Sequence, residues 1–231
     1  RWVYGLLWLL VFFILFTTVT RGAVVALAAG VVYLLWVIRR RIDFVRLVLV
    51  VGFILGAVFA MNFYVANFTR SADLLSRLSG SKFVGLIPES RHGIWDVAFE
   101  RWLQHPIIGM GPYYSLEKGL SYWVWPHNVY LYYANIVGAV GLAFFLWLLW
   151  RLWGASRPGH DDLRHPSFAS GFLVMANAML FVFMVDQFKI DYLRNSIYQI
   201  QVWVMFALIV AAYRVARLEA AADHPAPAPS G

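Results

Sequence analysis

No cysteine occurs anywhere in the 231 residues, which removes disulfides, thiolate-bound zinc and cysteine nucleophiles together and leaves the redox compartment unread. Charge is also scarce. Asp, Glu, Lys and Arg make up 13% of the chain against 61% hydrophobic residues, and mean hydropathy is +0.67, a balance outside the range of water-soluble domains. Internal repeats are missing, as are a glycine-rich phosphate loop and a His-Glu-x-x-His spacing among the 6 histidines, so common nucleotide-binding and zinc-hydrolase classes drop out. No cofactor and no metal is expected. An initiator Met is missing before Arg1, and no small-residue cleavage site follows the first apolar run. A signal peptide is therefore not expected, and the chain reads as the C-terminal part of something longer.

What is present is long apolar runs. They extend about 17 to 22 residues, enough for an α-helix to cross roughly 30 Å of hydrocarbon, and they lack the ten-residue alternation of barrel strands. The expected spans are Trp2–Val19, Ala23–Ile38, Phe44–Ala60, Val129–Trp150, Phe168–Val185 and Ile197–Tyr213. The fold class is all-α, a polytopic membrane protein with about six transmembrane helices and a helical extracytoplasmic loop. The formal net charge of +7 does not form one stripe, so it points to topology and not to nucleic acid. Arg39, Arg40, Arg41 and Arg46 follow the second span, Arg151, Arg157 and Arg164 the fourth, and Arg214 and Arg217 the sixth. The positive-inside rule assigns those ends to the cytoplasm.

The resulting organisation is three transmembrane helices over 1–61, a periplasmic loop with an amphipathic helix over 62–127, three more transmembrane helices over 128–215, and a disordered cytoplasmic tail over 216–231. Aromatic residues such as Tyr122, Trp123 and Trp125 fit a loop lying along the membrane surface. Within it, Ser90 is placed to cap a helix from about Arg91 to Gln104, with Ile94, Trp95, Ala98, Phe99, Trp102 and Leu103 on one face and His105-Pro106 ending it. The Ala-, Pro- and Ser-rich C-terminus cannot bury enough surface to offset chain entropy.

Three outward residues could carry chemistry. Singly, Arg21 reads as a snorkelling anchor, Arg91 as a solvated charge at a helix start, and His127 as an interfacial imidazole. Together, two permanent cations and one titratable base on one membrane face suit a diphosphate leaving group and a general base. Asp186 and Asp191, with Lys189 and Arg194, form the other outward turn, either as a turn-stabilising cluster or as carboxylates that orient the histidine or bind an acceptor. Gly109-Met110-Gly111-Pro112 is turn chemistry and is assigned shape, not phosphate binding. Asp161-Asp162 lies among Arg157, His160 and Arg164 and reads as a solvated charge run.

Three separated segments, TTVTRGAV, RHGIWDVAFERWLQHPIIGMGP and HNVYLYYANIVGAVGL, resemble in order those of the bacterial O-antigen ligase and O-antigen polymerase family. The likeness spans Thr17 to Leu142, and this chain matches the C-terminal half of such proteins. Where many members have an acidic residue, this chain has Ile136 beside Asn135. The resemblance implies a glycosyltransferase of the inner membrane with its active site facing the periplasm. Its donor would be a polyprenyl-diphosphate-linked glycan, its acceptor a lipid A core, a growing glycan or a protein, and its surroundings membrane lipids, with no nucleic acid. It further implies that Arg21 and Arg91 bind the donor diphosphate, that His127 is the catalytic base, and that Asn128 and Tyr130 shape the helix entrance.

Two other readings stand beside it. One is a transporter or channel for an anionic or lipid-linked substrate, which ionisable groups near the span centres would favour. Those centres hold no Asp, Glu, Lys or Arg, and no inverted repeat is visible. The other is a structural half that is inactive without further N-terminal spans.

Overall fold

The computed structural model describes residues 21–39, 43–68, 83–84, 87–111, 126–157, 167–190, 193 and 195–223. The expected first span Trp2–Val19, the aromatic cluster at 122–125, the Asp161-Asp162 pair, Asp191 and the end of the C-terminal tail lie outside them. Among the described residues six helices follow in chain order: α1 (Arg21–Ile38), α2 (Phe44–Phe68), α3 (Glu89–Gln104), α4 (Val129–Ser156), α5 (Phe168–Asp186) and α6 (Ser196–Asp223). A two-residue antiparallel ladder, β1 (Phe83–Val84) with β2 (Ile87–Pro88), pairs Phe83 with Pro88 and Val84 with Ile87.

Apart from that two-residue ladder the regular structure among the described residues is helical, and the chain is a polytopic membrane protein of the all-α class. Among the described residues α4, α5 and α6 are long and apolar enough to cross a bilayer, and α1 contains a shorter apolar stretch, Val25–Ile38. At about 1.5 Å per residue, an unbroken helix as long as the 28 residues of α4 would reach roughly 42 Å, more than the hydrocarbon layer and enough to leave room for a kink. Outward-facing Trp147, Trp150 and Phe168 are exposed, which suits side chains whose solvent is lipid.

The chain divides into two compact units, Arg1–Gly93 and Ile94–Gly231. In the first, α2 runs 25 residues with Arg46 as its one charged residue. At the end of α1 the Arg39 guanidinium donates to Trp36 O at 2.5 Å and lies 4.6 Å from the Trp36 ring centroid. It thereby satisfies one of the carbonyls that every helix C-terminus leaves open.

In the second unit α4, α5 and α6 pack around Val129, Phe145, Leu149, Leu152, Leu173, Leu180, Phe206 and Ile209. Between membrane helices lipid is as apolar as leucine, so side-chain fit and hydrogen bonds hold the bundle more than the hydrophobic effect does. One such bond, Asn177 Nδ2 to Ser156 Oγ at 2.9 Å, joins α5 to α4 where both residues are fully buried. A smaller cluster docks α3 on α4, with Ala98 against Tyr132 and Ile136, flanked by Ile94 and Val97.

Several boundaries differ from the sequence reading: α2 runs on to Phe68, past the expected Ala60 and into the expected 62–127 loop, and α4 runs on to Ser156, past the expected Trp150. Helix α3 begins at Glu89, directly after β2, so Ser90 lies inside its first turn and not at its cap. Helix α6 runs on to Asp223, because Arg217-Leu218-Glu219-Ala220-Ala221-Ala222 consists of strong helix formers that carry the helix beyond the apolar run.

Candidate functional site

The N-terminus of α4 is tied down from three directions. Asn128 takes an extended conformation (φ −154°, ψ 113°), and its Oδ1 accepts from the backbone N–H groups of Tyr130 and Leu131, both at 3.0 Å. This is the N-cap geometry that the Asn side chain favours. Val129 N donates to Gln187 O at 3.0 Å, just past the end of α5, and Tyr132 N donates to Asn128 O at 2.9 Å. The first four amides of α4 therefore all have protein partners, and none is left for an anion. Tyr130 reinforces the junction: its hydroxyl donates to Met184 O at 2.8 Å and its ring lies 4.7 Å from that of Phe188.

His127 stands immediately before this cap with φ 48°, and among the described residues it is the one non-glycine residue at positive φ. Left-handed backbone is costly for an L-residue and persists where its neighbours impose it. Both neighbours do so here. Asn128 is fixed as above, and Pro126 is fully buried and accepts from Trp95 Nε1 of α3 at 2.8 Å. The half-buried imidazole is thus carried at a junction of α3, α4 and the end of α5.

A second feature lies farther along the same helix. α4 is broken at Gly138 (φ 66°, ψ −171°). In an unbroken helix Ala139 and Val140 would donate to Asn135 O and Ile136 O, four residues earlier. All four groups instead bond to the segment after α3: Ala139 N to Pro106 O (2.8 Å), Val140 N to Ile107 O (3.2 Å), Met110 N to Asn135 O (2.7 Å) and Gly111 N to Ile136 O (3.0 Å). Two helical bonds are exchanged for four, which matters because unpaired backbone groups at membrane depth each cost several kcal/mol. The two crossing strands touch at glycines. A Cβ on Gly138 would overlap the backbone of Ile107, and one on Gly109 (φ 73°) would lie 2.6 Å from Gly138 N. Proline suits position 106 because only its carbonyl is used.

Of the residues singled out in the sequence, His127, Asn128 and Tyr130 come together at the α4 entrance. Asp186 is the last residue of α5, beside Gln187, and therefore belongs to the same corner. Asp191 lies outside the described residues. Arg21 is the first residue of α1, and Arg91 stands in the first turn of α3, one helical turn before Trp95. Ile136, at the position where an acidic residue is common in the family the sequence resembles, is buried against Ala98.

Sequence reasoning missed Trp95 as a hydrogen-bond donor, Gln187 as the partner of Val129, and Gly138 as a break. Gln187 carried no signal, because its backbone carbonyl makes the bond. The glycines at 109, 111 and 138 were visible, but only their pairing across the fold shows what they do.

A family model described as O-antigen ligase matches residues 6–146, more than half of the chain, from before α1 through the break in α4. Neither a curated protein nor a solved structure matches the chain. The matched stretch includes Arg21, Arg91, His127 and both halves of the glycine crossing. The chain belongs to the O-antigen ligase family, whose function is of the O-antigen ligase or polymerase kind and implies enzymes of glycosyltransferase type.

Proposed function

We propose that this protein transfers a glycan from a polyprenyl diphosphate to an acceptor hydroxyl at the periplasmic face of the bacterial inner membrane, with inversion at the anomeric carbon and without a metal. His127 takes the acceptor's proton as the new C–O bond forms, and the bond to the diphosphate breaks with its electron pair on the departing oxygen. Arg21 and Arg91 hold that diphosphate and supply fixed positive charge where negative charge develops. Asn128 and Tyr130 keep the entrance in shape.

The observation that carries this reading is the left-handed backbone of His127 between two anchored neighbours. Strain of this kind is kept where a side chain must point one way, and a base needs a fixed aim at the proton it removes. The fully used amides of α4 support the arginine assignment. A helix N-terminus is an ordinary anion site, and here that capacity is already spent on Asn128 and Gln187. Exposed Phe99 and Leu103 on α3 suit a helix at headgroup level, close to a lipid-linked donor. The acceptor is a lipid A core, a growing glycan or a protein side chain, three possibilities that share this chemistry.

The test is glycan attachment followed on gels, in cells lacking the native gene and complemented with full-length protein. His127→Ala should lower transfer by about 10² to 10⁴-fold, the usual contribution of a positioned base. Arg91→Lys should lower it through loss of the two-pronged guanidinium contact. Both should insert normally, and the product formed by wild type would distinguish ligase, polymerase and protein-modifying activity. Full transfer by both variants would remove these residues from the site.

A further inference from the structure

At the opposite end of α4 from His127, three helix ends enclose a cleft of about 180 Å³. Its polar lining is Arg157 from the end of α4, Ser170 from the start of α5, and Tyr213 and Arg217 from α6, with Leu173 and Ala216 as apolar wall. Among the described residues no acidic side chain lines it. Arg217 is held in place, its Nη1 donating to Tyr213 Oη at 3.1 Å and its guanidinium carbon 5.9 Å from that ring's centroid. A guanidinium carries five N–H donors, so most remain free to meet a ligand. Among the described residues the Arg157 side chain has no hydrogen-bond partner, although its backbone caps α4 through Trp153 O. Among the described residues, two arginines from different helices therefore face one gap with no carboxylate lining it. Gly154 borders the same gap, and a Cβ there would meet nothing within 4 Å.

We propose that this cleft binds a phosphate group, that of an anionic phospholipid headgroup. Planar, multiply donating guanidinium groups match phosphate oxygens. Leu173 and Ala216 give the cleft an apolar side on which the start of an acyl chain could rest, a feature that a free ion does not need. Basic pockets between helix ends on the cytoplasmic side are the usual places for such headgroups, and arginine bias assigns this end of the bundle to that side. The site is independent of the chemistry proposed at His127, which lies at the other end of a 28-residue helix.

Full-length protein in detergent is exchanged into phosphatidylglycerol, into phosphatidylcholine, or into phosphatidylcholine with inorganic phosphate, and retained lipid is counted by native mass spectrometry alongside thermal unfolding. Wild type should retain phosphatidylglycerol and not phosphatidylcholine. The Arg157→Gln, Arg217→Gln double variant should bind it about 30-fold more weakly, from roughly 1 kcal/mol per basic residue near a membrane surface. Gly154→Leu, which fills the gap and keeps both charges, should also lose retention and covers the case in which the double variant does not fold. Unchanged retention in either folded variant would overturn the site. Stabilisation by inorganic phosphate equal to that by phosphatidylglycerol would overturn the lipid assignment and identify a soluble phosphate as the ligand.

Discussion

The two stretches of α4 on either side of Gly138 obey different rules. Beyond the break the helix is regular, and its inward side chains Phe145, Leu149 and Leu152 pack against α5 and α6. Before it, besides the packing of Val129 in the core and of Tyr132 and Ile136 on Ala98, the helix is held by hydrogen bonds to groups outside it: the Asn128 cap, Gln187 O, Met184 O, and the loop segment that bonds Asn135 O and Ile136 O. The regular stretch needs little beyond apolar side chains of suitable shape. The interrupted stretch, which begins directly after the strained histidine, needs particular residues at particular places. A membrane protein can use irregular backbone at depth only when protein satisfies every group that the irregularity exposes, and the Pro106–Gly111 segment does so here.

The sharpest way to break this contrast is a pair of glycine substitutions on the same helix. Gly138→Val forces a β-branched residue into left-handed backbone against the Ile107 backbone and should cost at least about 3 kcal/mol, seen as lost folded protein or a large drop in Tm. Gly154→Ala, in open space in the regular stretch, should change stability by no more than about 1 kcal/mol, and favourably if at all. Equal effects would mean that the break does not set the helix's tolerance. Trp95→Phe keeps the ring but leaves Pro126 O without its donor. It should cost about 1 kcal/mol and reduce glycan transfer by more than that loss of stability explains, because the anchored carbonyl immediately precedes His127. Asn177→Ala removes the buried α5–α4 bond and should cost roughly 0.6 to 1.7 kcal/mol with transfer per folded molecule unchanged.

Much of this architecture was legible in the sequence. Long apolar runs mark the membrane helices, and the spacing of Ile94, Trp95 and Ala98 marks α3. The family resemblance read from three short segments agrees with the O-antigen ligase match. The break at Gly138 was not legible, because an apolar run from Val129 to Trp150 gives the same pattern whether or not its helix is continuous. What opens the helix is the stretch Pro106–Gly111, and hydropathy does not encode which backbone groups meet. The extension of α6 to Asp223 was missed for a simpler reason: a span was ended where the apolar residues end, whereas helix formers continue past them. The roles of His127, Asn128 and Tyr130 came from resemblance. What the structure adds is that these three share one anchored junction.

The most direct test of the central claim separates the backbone at position 127 from the imidazole it carries. Asn tolerates left-handed backbone better than most residues, so His127→Asn should preserve the junction while removing the base. Full-length wild-type and variant protein would be reconstituted in liposomes with a polyprenyl-diphosphate-linked glycan and acceptor, measuring transfer rate and Tm on the same samples. A Tm close to wild type with transfer reduced by about 10²-fold or more would match a positioned catalytic base. Transfer at the wild-type rate, with Tm unchanged, would contradict the account and leave His127 as a structural residue alone.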